Sequence, residues 1–213
     1  MNRHQVNLTR ARLLRHAPAS GQGLEAAAVD VAQDLLLRHL HEVGLLDELA
    51  FKGGTALRKL YAGAQGRFSL DLDFSVRALD GNAGAVLELV TEEVADLSLG
   101  PFDYGMTDRR GKKHLTISTD LTSTGQLTSK LDVSPPPWLE PERRGWVPLD
   151  IHAHYGGPLP QLTVVRLEEN VAEKIARLNR TTTARDVYDL YGCGATTATA
   201  AGWTPRWYDA WPC

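Results

Sequence analysis

Residues 68–76, FSLDLDFSV, alternate apolar and polar side chains along the whole segment. A strand puts every second residue on one face. Leu70, Leu72, Phe74 and Val76 therefore face a core, while Ser69, Asp71, Asp73 and Ser75 share the other side. This half-buried strand sets Asp71 and Asp73 side by side, about 7 Å apart, where their charges repel. Lys, Arg or a divalent cation would relieve that repulsion, and oxygen-only donors favour Mg²⁺ or Mn²⁺ over zinc. Taken alone, an Asp-x-Asp pair is equally well explained as a solvated strand face.

The neighbouring pattern supplies context. Residues 24–42 are rich in Ala and Leu without Gly or Pro, and predict a helix. A short apolar piece, 49–51, runs into Gly53-Gly54, after which Thr55 is expected to cap a helix, TALRKLY. Residues 83–98 carry Val86, Leu87, Val90, Val94 and Leu97 at helical spacing. Strands are predicted at 113–119 and 127–133, joined through Gly125-Gln126, and again at 149–153 after a Pro-rich loop at 134–148. Residues 166–180 form an amphipathic helix with Leu167, Val171, Ile175 and Leu178 as its apolar stripe and Asn170, Lys174 and Arg177 adjoining. Another helix spans 184–191, and beyond it the pattern dissolves. Strands interleaved with helices predict an α/β (α+β) fold, one mixed sheet flanked by helices.

On the strand at 127–133, Thr128, Lys130 and Asp132 share the polar face. If this strand lies beside 68–76, a third carboxylate joins the pair, as in two-metal phosphoryl transfer; the bland alternative is a surface Lys–Asp pair. Gly53-Gly54, at a strand-to-helix junction, lets the backbone approach an anion. Its spacing matches neither the P-loop nor the dinucleotide fingerprint.

Composition narrows the partners. The chain has 213 residues, 43% hydrophobic, with a formal net charge of −3, which excludes a histone-like polycation. No apolar run approaches the ~18 residues of a membrane span. The charged N-terminal stretch lacks a signal-peptide core, and Cys193 and Cys213 have no metal-site spacing, so a cytoplasmic protein is expected. Basic clusters at Arg10, Arg12 and Arg15, at Arg109, Arg110, Lys112 and Lys113, and at Arg143 and Arg144 are either phosphate contacts or solvated surface. Trp138 and Trp146 flank the last cluster, and either stack on a base or anchor a loop.

Four segments together, FKGGTALRKLYAGAQGRFSLDLDFSV (51–76), SKLDVS (129–134), ENVAEKIARL (169–178) and RDVYDLY (185–191), resemble the AbiEii/AbiGii-type nucleotidyltransferase toxins of the DNA polymerase β-like superfamily, among them the tRNA-modifying MenT toxins. The resemblance implies a palm-like domain over 1–160 with a short helical part over 161–213, together one compact unit. It implies a toxin that transfers nucleotides from a nucleoside triphosphate to the tRNA 3′ end, restrained by an antitoxin. Asp71 and Asp73 would hold Mg²⁺ (or Mn²⁺), with Asp132 as a third ligand or base. Gly53, Gly54, Thr55, Ser69 and Lys130 would surround the nucleotide, and Lys174 would meet its phosphates. Asp186 would orient Lys174 or Arg185, or simply be a helix N-terminal carboxylate. Phosphorylation of Ser69 or Thr55 would place charge where the polyanion binds. The alternatives are the same chemistry on a protein or small molecule, and a catalytically inactive binding module.

Overall fold

The computed structural model describes residues 6–17, 23–78, 81–178, 180 and 184–191. Cys193, Cys213 and the rest of 192–213 lie outside them. The described residues form an eight-stranded mixed sheet: β1 (Leu49–Lys52), β2 (Asp71–Val76), β3 (Ser98–Leu99), β4 (Phe102–Arg109), β5 (Lys112–Ser118), β6 (Gln126–Ser134), β7 (Glu142–Arg144) and β8 (Leu162–Val164). Their order across the sheet is β3-β4-β5-β6-β2-β1-β8-β7. The pairs β2/β6 and β1/β8 run parallel and the rest antiparallel. Helices are α1 (Arg10–His16), α2 (Gly23–Glu42), α3 (Gly53–Leu57), α4 (Ala83–Val94), α5 (Leu167–Leu178) and α6 (184–191).

Alternation builds the sheet's core face. Leu72, Phe74 and Val76 of β2 are buried with Phe102 and Tyr104 of β4, Leu115 and Ile117 of β5, and Leu131 of β6. Helices α2 and α4 cover this face. Tyr104 donates its hydroxyl to the Ala32 carbonyl at 2.8 Å, and Gln33 reaches Ser129 at 3.2 Å. The chain departs from the expected pattern at Leu70, which is 42% exposed because β2 begins only at Asp71.

Helix α2 is more than an apolar cylinder. Asp30 and Asp34, one turn apart, are both 1% exposed. Lys59 lies between them, bonding the Asp30 carboxylate at 2.8 Å and also Asp34. Arg58 and His16 reach Asp30 at 3.3 and 2.9 Å, and Tyr155 donates to Asp34 at 2.6 Å. Burial alone would raise the Asp30 carboxyl. Lys59, the His16 hydrogen bond and Arg58 outweigh it and hold that carboxyl far below the usual range. The network locks α2 to the π turn Arg58–Ala62 that continues α3.

Two expectations are corrected. Residues 149–153 are not a strand: Asp150–His154 is a 3-10 helix. Leu149 and Ile151 alternate with polar neighbours, but His152 and Tyr155 close tight turns onto Leu149 and His152. The Pro-rich stretch also contains β7, and β8 lies past residue 160, so the sheet continues into the segment assigned to the helical part.

Candidate active site

The site forms at the carboxyl end of β1 and beside the polar face of β2. The register sets Lys130 opposite Asp71 and Asp132 opposite Asp73, as the alternation requires if β6 lies beside β2. On the other side of β2, Lys52 pairs with Asp73. Gly53 then turns the chain with φ +78° into α3. A Cβ at residue 53 would overlap the Asp73 carboxylate, so glycine is required on both conformational and steric grounds. A Cβ at Gly54 would lie 3.0 Å from both Arg67 Nη2 and Ser69 Oγ.

Asp73 is raised above the usual carboxylate range, first by burial and then by the charges of Asp71 and Asp132, partly offset by Lys130 and Lys52. Burial favours the neutral amine of Lys130, but the bond to Asp132 and the surrounding carboxylates raise its pKa overall. A carboxylate whose ionised form is penalised, with a second carboxylate beside it on the same strand face, fits a divalent cation. The register puts Asp132 opposite Asp73 on the shared polar face, where a third carboxylate is expected. It is drawn to Lys130 at 2.9 Å and is 57% exposed, and among the described residues no three His, Cys, Asp or Glu side chains converge on one point.

Helix α5 presents its polar side inward. Asn170 and Lys174, one turn apart, are 2% and 6% exposed, whereas Ile175 of the expected apolar stripe is 52% exposed. Asn170 donates to the Gly53 carbonyl at 3.4 Å. Lys174 bonds Asp189 at 2.7 Å and Asp186 at 3.4 Å, both from α6. Arg67 also bonds Asp189, at 2.7 Å. Asp186 thus contacts Lys174, as one of the readings required. Asp189 was missed, although its spacing of three from Asp186 puts both on one helix face.

Lys52, Gly53, Gly54, Asp73, Asn170 and Lys174 line a cavity of about 140 Å³, with Asp132 and Ser134 at its β6 side and Phe74, Glu173 and Arg177 completing the lining. Glu173, which helical geometry turns about 100° from Lys174, bonds Lys52 at 2.8 Å. Asp71 is not part of this lining. A larger hollow of about 330 Å³, lined by Arg12, Arg15, His16 and His154 among others, includes Ala64 at the far end of the helix begun by Gly53. Apart from Arg12 and Arg15 of the N-terminal basic cluster, it contains none of the expected catalytic, nucleotide-binding or metal residues.

Thr55 is corrected. It lies inside α3, 1% exposed, and its hydroxyl donates to the Asp71 carbonyl rather than capping the helix. Its role is to fasten α3 to the start of β2. Ser69 is 6% exposed beside Gly54. Neither hydroxyl is accessible to a modifying enzyme in this conformation.

The basic clusters separate. Arg10 and Arg12 bond Leu121 and Asn7, Arg143 bonds Gln161, and Arg144 bonds Leu60 and lies 3.9 Å over the Tyr61 ring. Trp146 is anchored on Pro160, whereas Trp138 is 95% exposed on a loop whose amides at 138 and 139 are both held by Glu169.

A strand carboxylate pair, a glycine turn into a helix and a caged lysine on this mixed sheet define a nucleotidyltransferase fold. Residues 34–196 match the family model described as nucleotidyl transferase AbiEii toxin, type IV toxin–antitoxin system, and the chain belongs to that family. MenT4, a nucleotidyltransferase toxin from Mycobacterium tuberculosis H37Rv, shares 38% identity and superposes with a TM-score of 0.76, covering 85% of this chain. The present chain spans 63% of the MenT4 chain. An antigenic nucleotidyltransferase-like protein from Paracoccidioides brasiliensis aligns at 14% identity and TM-score 0.47, over 80% of this chain and 76% of its own. No curated protein sequence matches.

Proposed function

We propose that this chain is a toxin that transfers nucleotide from a nucleoside triphosphate to the 3′ acceptor end of tRNA, blocking translation in the cytoplasm until a cognate antitoxin neutralises it. One observation carries the reading: the register that sets Asp71 and Asp73 against Lys130 and Asp132, beside a cavity closed by Gly53, Gly54 and Lys174.

Asp71 and Asp73 would hold Mg²⁺ (or Mn²⁺), which when bound offsets triphosphate charge and acidifies the acceptor hydroxyl. The Gly53-Gly54 turn has no side chain to exclude the phosphates, and Lys174 offsets the charge that builds on the leaving group. Asp186 and Asp189 keep Lys174 in place as a positioning pair. In the reaction, the acceptor oxygen bonds the α-phosphorus, the bond from that phosphorus to the β-bridging oxygen breaks, and pyrophosphate leaves. Asp132 would take the hydroxyl proton, or share the metal, once Lys130 turns to phosphate. Trp138, exposed on a pinned loop, offers a face for a base.

The test is incubation with total RNA and each α-labelled nucleoside triphosphate in turn. Label in tRNA is the expected result. Label confined to protein, or to no acceptor, contradicts it.

A further inference from the structure

Helices α2 and α4 cover one face of the sheet, and among the described residues the other face of β4–β6 is open. It carries Thr107 and Arg109 from β4, Lys112, His114 and Thr116 from β5, and Thr128 from β6, all exposed or half-buried. Gly105 leaves its centre flat, and no apolar side chain stands on it.

The register ties this face to the active site. Thr107 lies opposite His114, His114 opposite Lys130, and Lys130 opposite Asp71, so one row crosses four strands to the carboxylates. At about 4.8 Å per strand, the row is about 14 Å long. Two residues along each strand, Arg109 pairs with Lys112 at the level of Asp132. The tip of the β4–β5 hairpin therefore lies at the same end of the sheet as the carboxylates. Among the described residues, neither the Arg109 nor the Lys112 side chain makes a hydrogen bond or ion pair, in contrast to those of Arg143 and Arg144. Lys113, on the helix-covered face, is taken up by Glu88 at 3.2 Å.

We propose that this open face is the docking surface for the unpaired 3′ strand of the RNA acceptor, with its terminal ribose at Asp71 and Asp73 and its phosphates leading out to Arg109 and Lys112. The inference rests on the nucleotidyltransferase reading above. Three arguments select this occupant. Most of the triphosphate cavity's lining comes from β1, the Gly53 turn and α5, with only Asp132 and Ser134 of β6 at its edge, and in-line displacement brings the attacking hydroxyl from the side opposite the leaving group. That side is β6. A face lined by hydroxyls, an imidazole and unpaired cations, with its one β4 carboxylate, Asp103, at the end away from the hairpin tip and bonded to Ser98, suits ribose and phosphate, and its lack of apolar groups disfavours a protein partner. Finally, a row that stops at the carboxylates suits a strand that ends there, with its terminal hydroxyl as the reacting group.

The test is the double variant Arg109→Glu/Lys112→Glu, with Arg143→Glu on β7, at the far edge of the sheet, as control. Both hairpin residues are exposed, so melting temperature and nucleotide affinity stay at wild-type values. The KM for tRNA is expected to rise about tenfold or more, and the slope of log affinity against log salt to shrink by about 2, one per lost phosphate contact. The control keeps the wild-type KM. Labelled RNA with an unchanged KM and salt slope in the double variant overturns the docking surface and leaves the activity standing. A wild-type protein that labels protein instead of RNA overturns both.

Discussion

The Asp73 carboxylate occupies the space that a side chain at residue 53 would need, so β2 and the turn into α3 fit together only because residue 53 is glycine. Gly53→Ala must therefore move Asp73 or distort the turn, and it also forces a Cβ into φ +78°. The expected outcome is loss of transfer by about 10² or more, with about 1–2 kcal/mol of stability lost. Denaturant unfolding and single-turnover transfer on the same preparation measure both.

Asp73→Asn separates chemistry from stability. The raised Asp73 pKa means that the folded chain disfavours its ionised form. The stability linked to its proton is fully present below the unfolded value of about 3.9 and is lost as pH rises through the higher folded value. Wherever this carboxyl is ionised, the metal-free protein carries the cost of its burial and of the neighbouring carboxylates. Asp73→Asn should match or exceed the wild-type melting temperature in chelator, lose the stabilisation that Mg²⁺ gives the wild type, and be inactive. A variant less stable than wild type in chelator contradicts this.

Lys174→Ala should lower the transfer rate by about 10²–10³, with Lys174→Arg restoring part of it because a guanidinium is larger and planar. Asp189→Ala should be milder, since Asp186 still contacts Lys174. If Asp189 acts through Lys174, the double variant is no worse than Lys174→Ala alone. Additive losses would give Asp189 a separate role.

Lys59→Met leaves Asp30 and Asp34 buried without their shared cation. It should cost about 3–5 kcal/mol of stability, read by urea unfolding. The depressed Asp30 pKa gives a pH signature in the wild type. Its stabilisation is present above about pH 3.9 and is lost progressively below that as the folded carboxylate protonates. In Lys59→Met, that acid-side slope should flatten.

Much of this site was legible because strand alternation is rigid. Once FSLDLDFSV is a strand, Asp71 and Asp73 must share a face, and LTSKLDV beside it must bring Lys130 and Asp132. Strand β4 has the same alternation, Phe102, Tyr104 and Met106 inward, but Gly105 and its charged end masked it. Strands β7 and β8, three residues each, are too short to show a period. Helix α5 misled for a different reason. Hydropathy assigns its inward face to Val171 and Ile175, whereas an ion-pair cage allows Lys174 and Asn170 to be the buried side. Pairings between distant segments, such as Asp30 with Lys59 or Lys174 with Asp189, leave no local pattern to read.

The most direct measurement follows the fate of the triphosphate itself. The protein is incubated with tRNA and Mg²⁺ and with one nucleoside triphosphate labelled at either the α- or the γ-phosphate. For the nucleotide it uses, the account predicts that α-label enters the RNA, that γ-label leaves as pyrophosphate in equal amount, and that both signals vanish in chelator and in Asp71→Ala and Asp73→Ala. Transfer of the γ-label to an acceptor, or α-label incorporation that persists in Asp73→Ala, would contradict it.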